Sequence, residues 1–185
     1  MDNPPVTTAE RPISKPKQEI IKEAKRIEES LLYSSKGHYA AARFWSTFHL
    51  WIGIPMVVIT AIAGATAFKT FDSNGVLAGI CALIGVVLSS LMTFLNPNEK
   101  ESQHRIAGHN YDSLMSTVRL FWSVECWRTE DEAILADKLT QLSEHKSKLN
   151  QACPQIPTFA YEKARKGIDA GEGVYAVDKK DSPPP

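Results

Sequence analysis

Two long stretches of the chain are apolar throughout, and nearly everything around them is polar. Residues 44–68 and residues 76–95 contain no Asp, Glu, Lys or Arg. About 20 apolar residues, at a helical rise of 1.5 Å each, cross a hydrocarbon core roughly 30 Å thick. The pattern therefore predicts two membrane-spanning helices joined by a short turn at residues 69–75. A buried helix pair in a soluble protein is the competing interpretation, but it would need more polar-faced chain around it.

Helical patterns also run through the polar stretches on either side of these windows. Apolar residues recur at 4-3-4 spacing over residues 17–43, and similar stripes predict helices over residues 97–127 and 130–152. Such spacing is typical of helices that pack as in a coiled coil. The predicted fold class is an all-α membrane protein: a two-span transmembrane helical hairpin with long amphipathic cytosolic helices before and after it.

Local signals predict where some of these helices begin and end. Asn96 fits the N-cap of the helix after the second window, Pro97 its first position and Glu99 its reciprocal capping acid. Thr129 fits the cap of the following helix. Gly37 is a candidate interruption of the first helix.

The two ends of the chain have too little apolar content to form a core. Residues 1–16, which include four prolines, are predicted to be a disordered tail. Residues 153–185 are predicted to be a C-terminal tail with one short helix at about 161–166, followed by a polar stretch that does not pack. The folded domain is therefore predicted to be residues 17–152.

Small residues recur on one face of each apolar window. They let helix backbones approach closely, which matters in a bilayer because lipid leaves no hydrophobic force to drive helices together. One interpretation is that the two helices pair within the chain, and another is that a second face also meets neighbouring chains. The positions concerned are Gly53, Gly64, Gly75, Gly79, Ala82, Gly85 and Ser89.

Two residues of the first window depart from its apolar character. Pro55 removes a backbone donor and is predicted to kink the helix. His49 lies near the end of the window that is expected to face the cytoplasm. It is either a pore-lining or interface residue that responds to pH, or a histidine solvated by lipid headgroups.

Charge predicts the orientation of the windows but no charged partner. Lys+Arg and Asp+Glu balance at 21 each, so the composition indicates no nucleic-acid partner. Basic residues flank the outer ends of both windows, whereas Lys69 is the single basic residue between them. Both termini are therefore expected in the cytoplasm, with the first window acting as a retained signal-anchor. Cys81, Cys126 and Cys153 have neither disulfide-framework nor metal-ligand spacing, which indicates a reducing compartment.

The stretch AGHNYDSLMSTVR gathers His, Tyr, Asp and Arg side chains and so suggests chemistry. Helical spacing instead places Ala107, Tyr111, Leu114 and Val118 on one apolar face, with Arg119 beside it. This stretch is therefore predicted to be a packing seam of a helix bundle. Its arginine is expected to pair with an acid on another helix, either Glu28 or Glu132.

Catalytic and metal-binding patterns are missing from the sequence. His104 and His109 are five residues apart, about 140° around a helix, so they cannot bind one metal as an i, i+4 pair does. No paired carboxylates, nucleophile–base arrangement or glycine-rich phosphate loop occurs elsewhere. The sequence predicts a protein that is not an enzyme and has no cofactor.

The order of these elements resembles the SLATT domains, the two-transmembrane effector domains associated with SMODS nucleotidyltransferases and SLOG sensor domains. The resemblance covers residues 17–151 and rests on an amphipathic helix, two spans and a following polar helix. That last helix carries an Ala-x-x-x-Tyr-x-x-Leu motif with a downstream Arg, here Ala107, Tyr111, Leu114 and Arg119.

This resemblance implies a membrane effector that assembles into a homo-oligomeric pore or ion channel in the cell membrane. The pore would permeabilise the membrane when a sensor or nucleotidyltransferase protein signals, although the resemblance supplies no nucleotide-binding residue here. Two spans cannot enclose an aqueous path, so a channel requires several chains. The alternative is a non-catalytic membrane anchor or adaptor whose cytosolic helix bundle docks a partner.

Overall fold

The computed structural model describes residues 14–66 and 75–175, and all regular structure in those ranges is helical. A π-helical turn, Phe121–Glu125, joins the third and fourth helices. This confirms the predicted all-α class for the described residues. Within these ranges the α-helices are α1 (Lys15–Thr66), α2 (Val76–Leu95), α3 (Pro97–Leu120), α4 (Cys126–Arg128), α5 (Glu132–Ala152) and α6 (Thr158–Asp169).

Some of the predictions fall on other parts of the chain. Most of the N-terminal tail (residues 1–13), the end of the first window with most of the turn (residues 67–74), and residues 176–185 lie outside the described residues.

Helix α1 joins the first amphipathic helix and the first apolar window into one element of 52 residues. At 1.5 Å per residue it is about 78 Å long. The predicted interruption at Gly37 is wrong, because α1 continues through this buried glycine. A Cβ at Gly37 would lie 3.1 Å from Ile156, so the glycine admits a neighbouring side chain rather than ending the helix. The helix also continues through Pro55, which is exposed.

A single left-handed residue, Asn96, separates α2 from α3. Its backbone (φ 42°, ψ 59°) ends α2, and Pro97 occupies the first turn of α3 as predicted. The predicted reciprocal cap is wrong: the Asn96 side chain makes no capping bond to the backbone and instead bonds the Glu99 carboxylate. A capping side chain needs an N-cap residue in the extended region, and Asn96 is not extended.

The predicted helix 97–127 is divided by the π-helical turn, and burial explains its position. Phe121 and Cys126, five residues apart, are both fully buried, whereas Glu125 is exposed. Regular 4-3 spacing after Phe121 would bring Glu125 toward the core. The π turn adds one residue to the repeat and places the Cys126 thiol there instead.

Helix α5 begins two residues later than predicted, and its cap is Asp131 rather than Thr129. The Asp131 carboxylate accepts hydrogen bonds from the backbone N–H groups of Ala133 (2.9 Å) and Ile134 (3.3 Å). Thr129 lies before the helix in extended conformation and makes no such bond to it. The acidic cap also suits the positive end of the helix dipole.

The C-terminal part of the chain packs further than its composition predicts. Helix α6 spans 158–169, and the chain continues from it across α1 and α3 as far as Tyr175. Glu172 pairs with Lys36 at 2.9 Å, and the Arg119 guanidinium lies 4.3 Å from the Tyr175 ring centroid. The prediction that this stretch does not pack is therefore wrong through residue 175, because ionic and ring contacts hold it without an apolar stripe.

The core of the bundle lies where α1 meets α3, the π-helical turn, α4 and α5. Contacts show that α2 and α3 run antiparallel to α1: Thr60 lies opposite Gly85, and Glu28 lies opposite Arg119. Apolar side chains fill the interface between these helices, and the buried members are Ile20, Ala24, Ile27, Leu31, Ala107, Tyr111, Leu114, Met115, Val118, Phe121, Cys126, Leu135 and Leu142.

Two of the described helices contain windows that are long and apolar enough to cross a membrane. The window in α1 has a mean hydropathy of 1.8 and is 0% buried, and the window that begins in α2 has 2.3 and is 6% buried. The core helix of a soluble protein is also apolar, but it is mostly buried. These windows are apolar without being covered by the rest of the chain.

Candidate functional site

The predicted seam of α3 lies in the centre of the bundle. Ala107, Tyr111, Leu114 and Val118 are each at most 3% exposed. They face the α1 residues that recur at the same spacing, so two 4-3 stripes interlock between antiparallel helices. Arg119 lies at the edge of the seam and is half-buried.

Tyr111 connects three helices at this seam. Its ring stacks on His38 of α1, with centroids 5.3 Å apart, and its hydroxyl donates a 2.9 Å hydrogen bond to the Asn150 side-chain oxygen of α5. Burial, and secondly the neighbouring Cys153, raise the pKa of Tyr111 to about 12. The ring is therefore a packing element with a satisfied polar tip, and it stays protonated at physiological pH.

A buried histidine pair lies beside Tyr111, and the sequence interpretation missed it. His38 and His104 are 1% and 5% exposed, and their Nδ1 atoms are 2.9 Å apart. One ring must donate and the other accept, so the two rings cannot both be protonated on Nδ1. Burial, and secondly repulsion from His104, lower the pKa of His38 from 6.5 to about 4. Burial and the Lys100 charge also lower the pKa of His104.

The signal for this pair was present in the seam spacing. Continuing the α1 stripe beyond Leu31 by steps of four and three reaches Ser35 and then His38. Stepping back three from Ala107 reaches His104. Two histidines at interior positions of facing stripes could have been predicted to meet, but only if the register between the helices were known.

Helices α1 and α3 approach each other closely next to this pair. Ser35 donates a 3.3 Å hydrogen bond to the Gly108 carbonyl, and a Cβ at Gly108 would lie 2.9 Å from the Tyr39 ring. The Tyr39 hydroxyl in turn lies 2.9 Å from Nδ1 of His109. Glycine is therefore required at position 108 because the Tyr39 ring occupies the space that a side chain would need, and not because of an unusual backbone angle.

Arg119 pairs with Glu28, one of the two acids that the sequence offered. Its Nε lies 2.6 Å from one Glu28 oxygen, and Nε1 of Trp122 donates to the other at 2.6 Å. The opposite face of the guanidinium lies over the ring of Tyr175. Both oxygens of a half-buried carboxylate are therefore bonded, which fixes the register of α3 against α1.

Several small residues of the apolar windows face the space between α1 and α2. Gly64, Ala82, Gly85 and Ser89 line a cleft of about 500 Å³ between α1 and α2. No atom of the described residues lies within 4 Å of a Cβ built at Gly53, Gly64, Gly75 or Gly79, so the described part of the chain does not pack closely against them. Gly75 has a different role, because its positive φ of 67° places it at the N-cap of α2.

His49 lies in the first window, between the bundle and the exposed part of α1. Among the described residues, its Nδ1 is the buried side-chain atom for which no hydrogen-bond partner is present. The rings of Phe44, Trp45 and Phe48, which precede His49 in α1, form an aromatic cluster with Phe159 of α6. Such rings are typical of the boundary between a bilayer and water.

The described residues bring no three His, Cys, Asp or Glu side chains together in an arrangement that could hold a metal ion. The contacts described above are packing contacts between helices of a chain that has two helices long and apolar enough to cross a membrane. Comparison with protein-family models, curated proteins and solved structures found no match to this chain.

Proposed function

We propose that this chain is a non-catalytic, two-span membrane effector that assembles into homo-oligomers and forms a pore or channel. The observation that carries the proposal is the contrast along α1, which is packed in a bundle at one end and bare and apolar at the other. A rigid helix of about 78 Å couples the two parts. A change in the bundle would thereby move the end of the helix that lies in the membrane.

The proposed topology places both termini in the cytoplasm. Arg43 directly precedes the first window, and Lys100 follows the second within five residues, where its Nζ lies 4.5 Å from the Trp45 ring centroid. Basic residues and aromatic rings at one level of the helix pair support a cytoplasmic membrane boundary there. Epitope tags at the two termini should both be protected from protease outside intact cells, and cleavage of either one contradicts this topology.

Open small-residue positions support assembly with neighbouring chains. A Cβ at Gly53, Gly64 or Gly79 would have no atom of the described residues within 4 Å, so a second helix could approach their backbones. Two spans cannot surround water, and several copies are therefore required for conduction. As the resemblance to SLATT domains implies, we propose that a sensor or nucleotidyltransferase partner supplies the signal through the cytosolic bundle.

The test is release of a dye trapped in liposomes that contain the full-length protein, together with its oligomer size by native mass measurement. Gly64→Leu should reduce the oligomer to smaller species and abolish release. The matched control is Ala65→Leu, which adds bulk about 100° around the same exposed helix and should leave both unchanged. An intact barrier at high density of the unsubstituted protein contradicts the pore.

A second candidate function, an anchored adaptor, is favoured by exposed apolar side chains on the bundle itself. Leu120, Trp127 and Ile134 are 57–59% exposed at the end of the bundle away from the windows. Such side chains are typical of a surface that a partner covers. Oligomer size separates the two functions, because a strict monomer or dimer in lipid bilayers cannot line a pore and favours the adaptor.

A further inference from the structure

A cavity of about 740 Å³ lies on one side of the bundle, and Ser35 and Tyr39, which adjoin the histidine pair, are among its lining residues. Its walls come from α1, α3, α6 and the stretch that follows α6. The volume is in the range of sites that hold small organic ligands. Its charged lining residues are Lys36, Arg43, Asp112, Arg119, Lys163 and Glu172.

Four cations and two carboxylates give this lining an excess of positive charge. Two of the cations have partners, since Lys36 pairs with Glu172 and Arg119 with Glu28. Arg43 and Lys163 make no ion pair with any residue that the structure describes. Asp112 makes none either, so two cations and one carboxylate of the lining have no ion pair among the described residues, and one positive charge is left in excess.

The Glu172 carboxylate lies where a bound anion would lie, beside the cations of the cavity. Its carboxylate accepts a 2.9 Å hydrogen bond from Lys36, and this bond, with the charges of Lys36 and Arg43, lowers the pKa of Glu172. The carboxylate is held by an exposed pair on a short stretch after α6, so an incoming anion can replace it at little cost.

We propose that this cavity binds the phosphate group of a small phosphate ester through Arg43 and Lys163. Lys36 would exchange its ion pair with Glu172 for one with the same phosphate. Arginine and lysine donors favour phosphate because charge-assisted hydrogen bonds to its oxygens are short and strong. The apolar remainder of the ester would lie against Leu32, Met115 and the Tyr175 ring, which line the same cavity. This site is independent of the pore, so it can fail while the proposed function stands.

Two sources of phosphate ester can reach the cavity. Arg43 adjoins Phe44, the first residue of the apolar window, and Phe44 contacts Phe159 with ring centroids 4.7 Å apart. The cavity is therefore near the proposed membrane boundary, where a lipid headgroup can enter, and near water, where a soluble ester can.

The experiment measures binding to the full-length protein in phosphate-free neutral detergent and in phosphatidylcholine nanodiscs. Inorganic phosphate and phenyl phosphate, titrated by calorimetry in detergent, form the soluble arm. Nanodiscs with and without phosphatidic acid, read by native mass measurement of retained lipid, form the lipid arm. Binding in either arm that depends on the cavity residues supports the site, and the stronger arm identifies the source.

Charge variants should shift the affinity in opposite directions. Arg43→Gln and Lys163→Gln should each weaken binding about fivefold or more, whereas Glu172→Gln should tighten it about threefold by removing the internal competitor. These side chains are exposed, so the fold should persist, which circular dichroism checks.

Matched control variants on α6 distinguish binding at a specific site from binding through the overall charge of the surface. Lys166→Gln and Glu162→Gln make the same charge changes at exposed positions that do not line the cavity, and each should change affinity less than about twofold. Absence of binding by every probe overturns the proposal. Equal shifts in the cavity and control variants also overturn it.

Discussion

The bundle and the apolar windows use the same small-residue and apolar spacing, yet among the described residues the bundle is covered by its own chain and the windows are largely exposed. Val118 is fully buried, whereas Leu83 in α2 is 67% exposed. Gly108 contacts the Tyr39 ring, whereas Gly64 and Gly79 have no neighbour within 4 Å. Spacing thus shows that a helix has a packing face, but it does not show which molecule packs there.

The difference has a physical basis in the two halves of α1. In the bundle, burial of apolar surface from water stabilises the chain by about 25 cal/mol per Å². In the windows that gain is unavailable if lipid is the solvent, and close packing must supply the attraction. Substitutions in the bundle should therefore change folding stability, and substitutions in the windows should change association.

The largest expected effect is at Tyr111. Tyr111→Ala removes a ring packed against His38 and should lower the free energy of unfolding by about 3 kcal/mol, as core aromatic deletions do. Leu83→Ala in the exposed part of α2 should change it by less than about 0.5 kcal/mol. Thermal unfolding in neutral detergent measures both, and equal losses would remove the distinction between bundle and windows.

A conservative variant separates the Tyr111 ring from its hydroxyl. Tyr111→Phe keeps the ring and removes the hydroxyl, with its bond to the exposed Asn150 and its contact with the Cys153 thiol, so the loss should be about 1 kcal/mol. A loss as large as that of the alanine variant would place the energy in the hydrogen bond instead.

The second effect is acid destabilisation through the His38–His104 pair. The pKa of His38 is lowered from 6.5 when unfolded to about 4 when folded, so the unfolded chain binds more protons between these values. Stability is therefore complete above pH 6.5 and falls as the pH drops toward 4, by about 3 kcal/mol. Unfolding measured across this range should show the step, and exposed His145→Gln should preserve it.

Removal of both histidines tests the assignment of that step. A His38→Leu, His104→Leu double variant leaves neither partner buried and unpaired, and its stability should be flat over the same pH range. A step that persists in the double variant would belong to other groups.

A smaller effect is expected at Glu28. Glu28→Gln removes the negative charge of the carboxylate to which both Arg119 and Trp122 donate hydrogen bonds. The variant should lower the free energy of unfolding by about 1–2 kcal/mol. The control is Glu23→Gln, whose ion pair with Arg26 is exposed on α1 and should contribute less than about 0.5 kcal/mol. Similar losses would mean that the paired carboxylate does not hold the register of α3.

The smallest effect compares one glycine from each region. Gly108→Ala places a methyl group 2.9 Å from the Tyr39 ring, and overpacking should exceed the gain in helix propensity by about 1 kcal/mol. Gly53→Ala meets no atom within 4 Å and should not lower the unfolding stability. A loss at Gly53 in monomeric protein would show that the window packs within the chain after all.

Much of the helical architecture could be predicted because it depends on local pattern. The second apolar window coincides with α2, and Pro97 opens α3, since both follow from residue type at short range. Errors arose where a capping or breaking residue had to be chosen among neighbours: Gly37 does not break α1, and Asp131 rather than Thr129 caps α5.

The sequence by itself determined where apolar and polar chain alternate and which face of α3 is apolar, because periodicity is a property of the chain alone. Only the tertiary structure decided that His38 meets His104 and that Glu28, not Glu132, receives Arg119. It also decided that the chain after α6 returns across α1 to Tyr175. Each of these joins residues more than 50 positions apart, and such pairs depend on the register between helices, which the spacing within one helix does not contain.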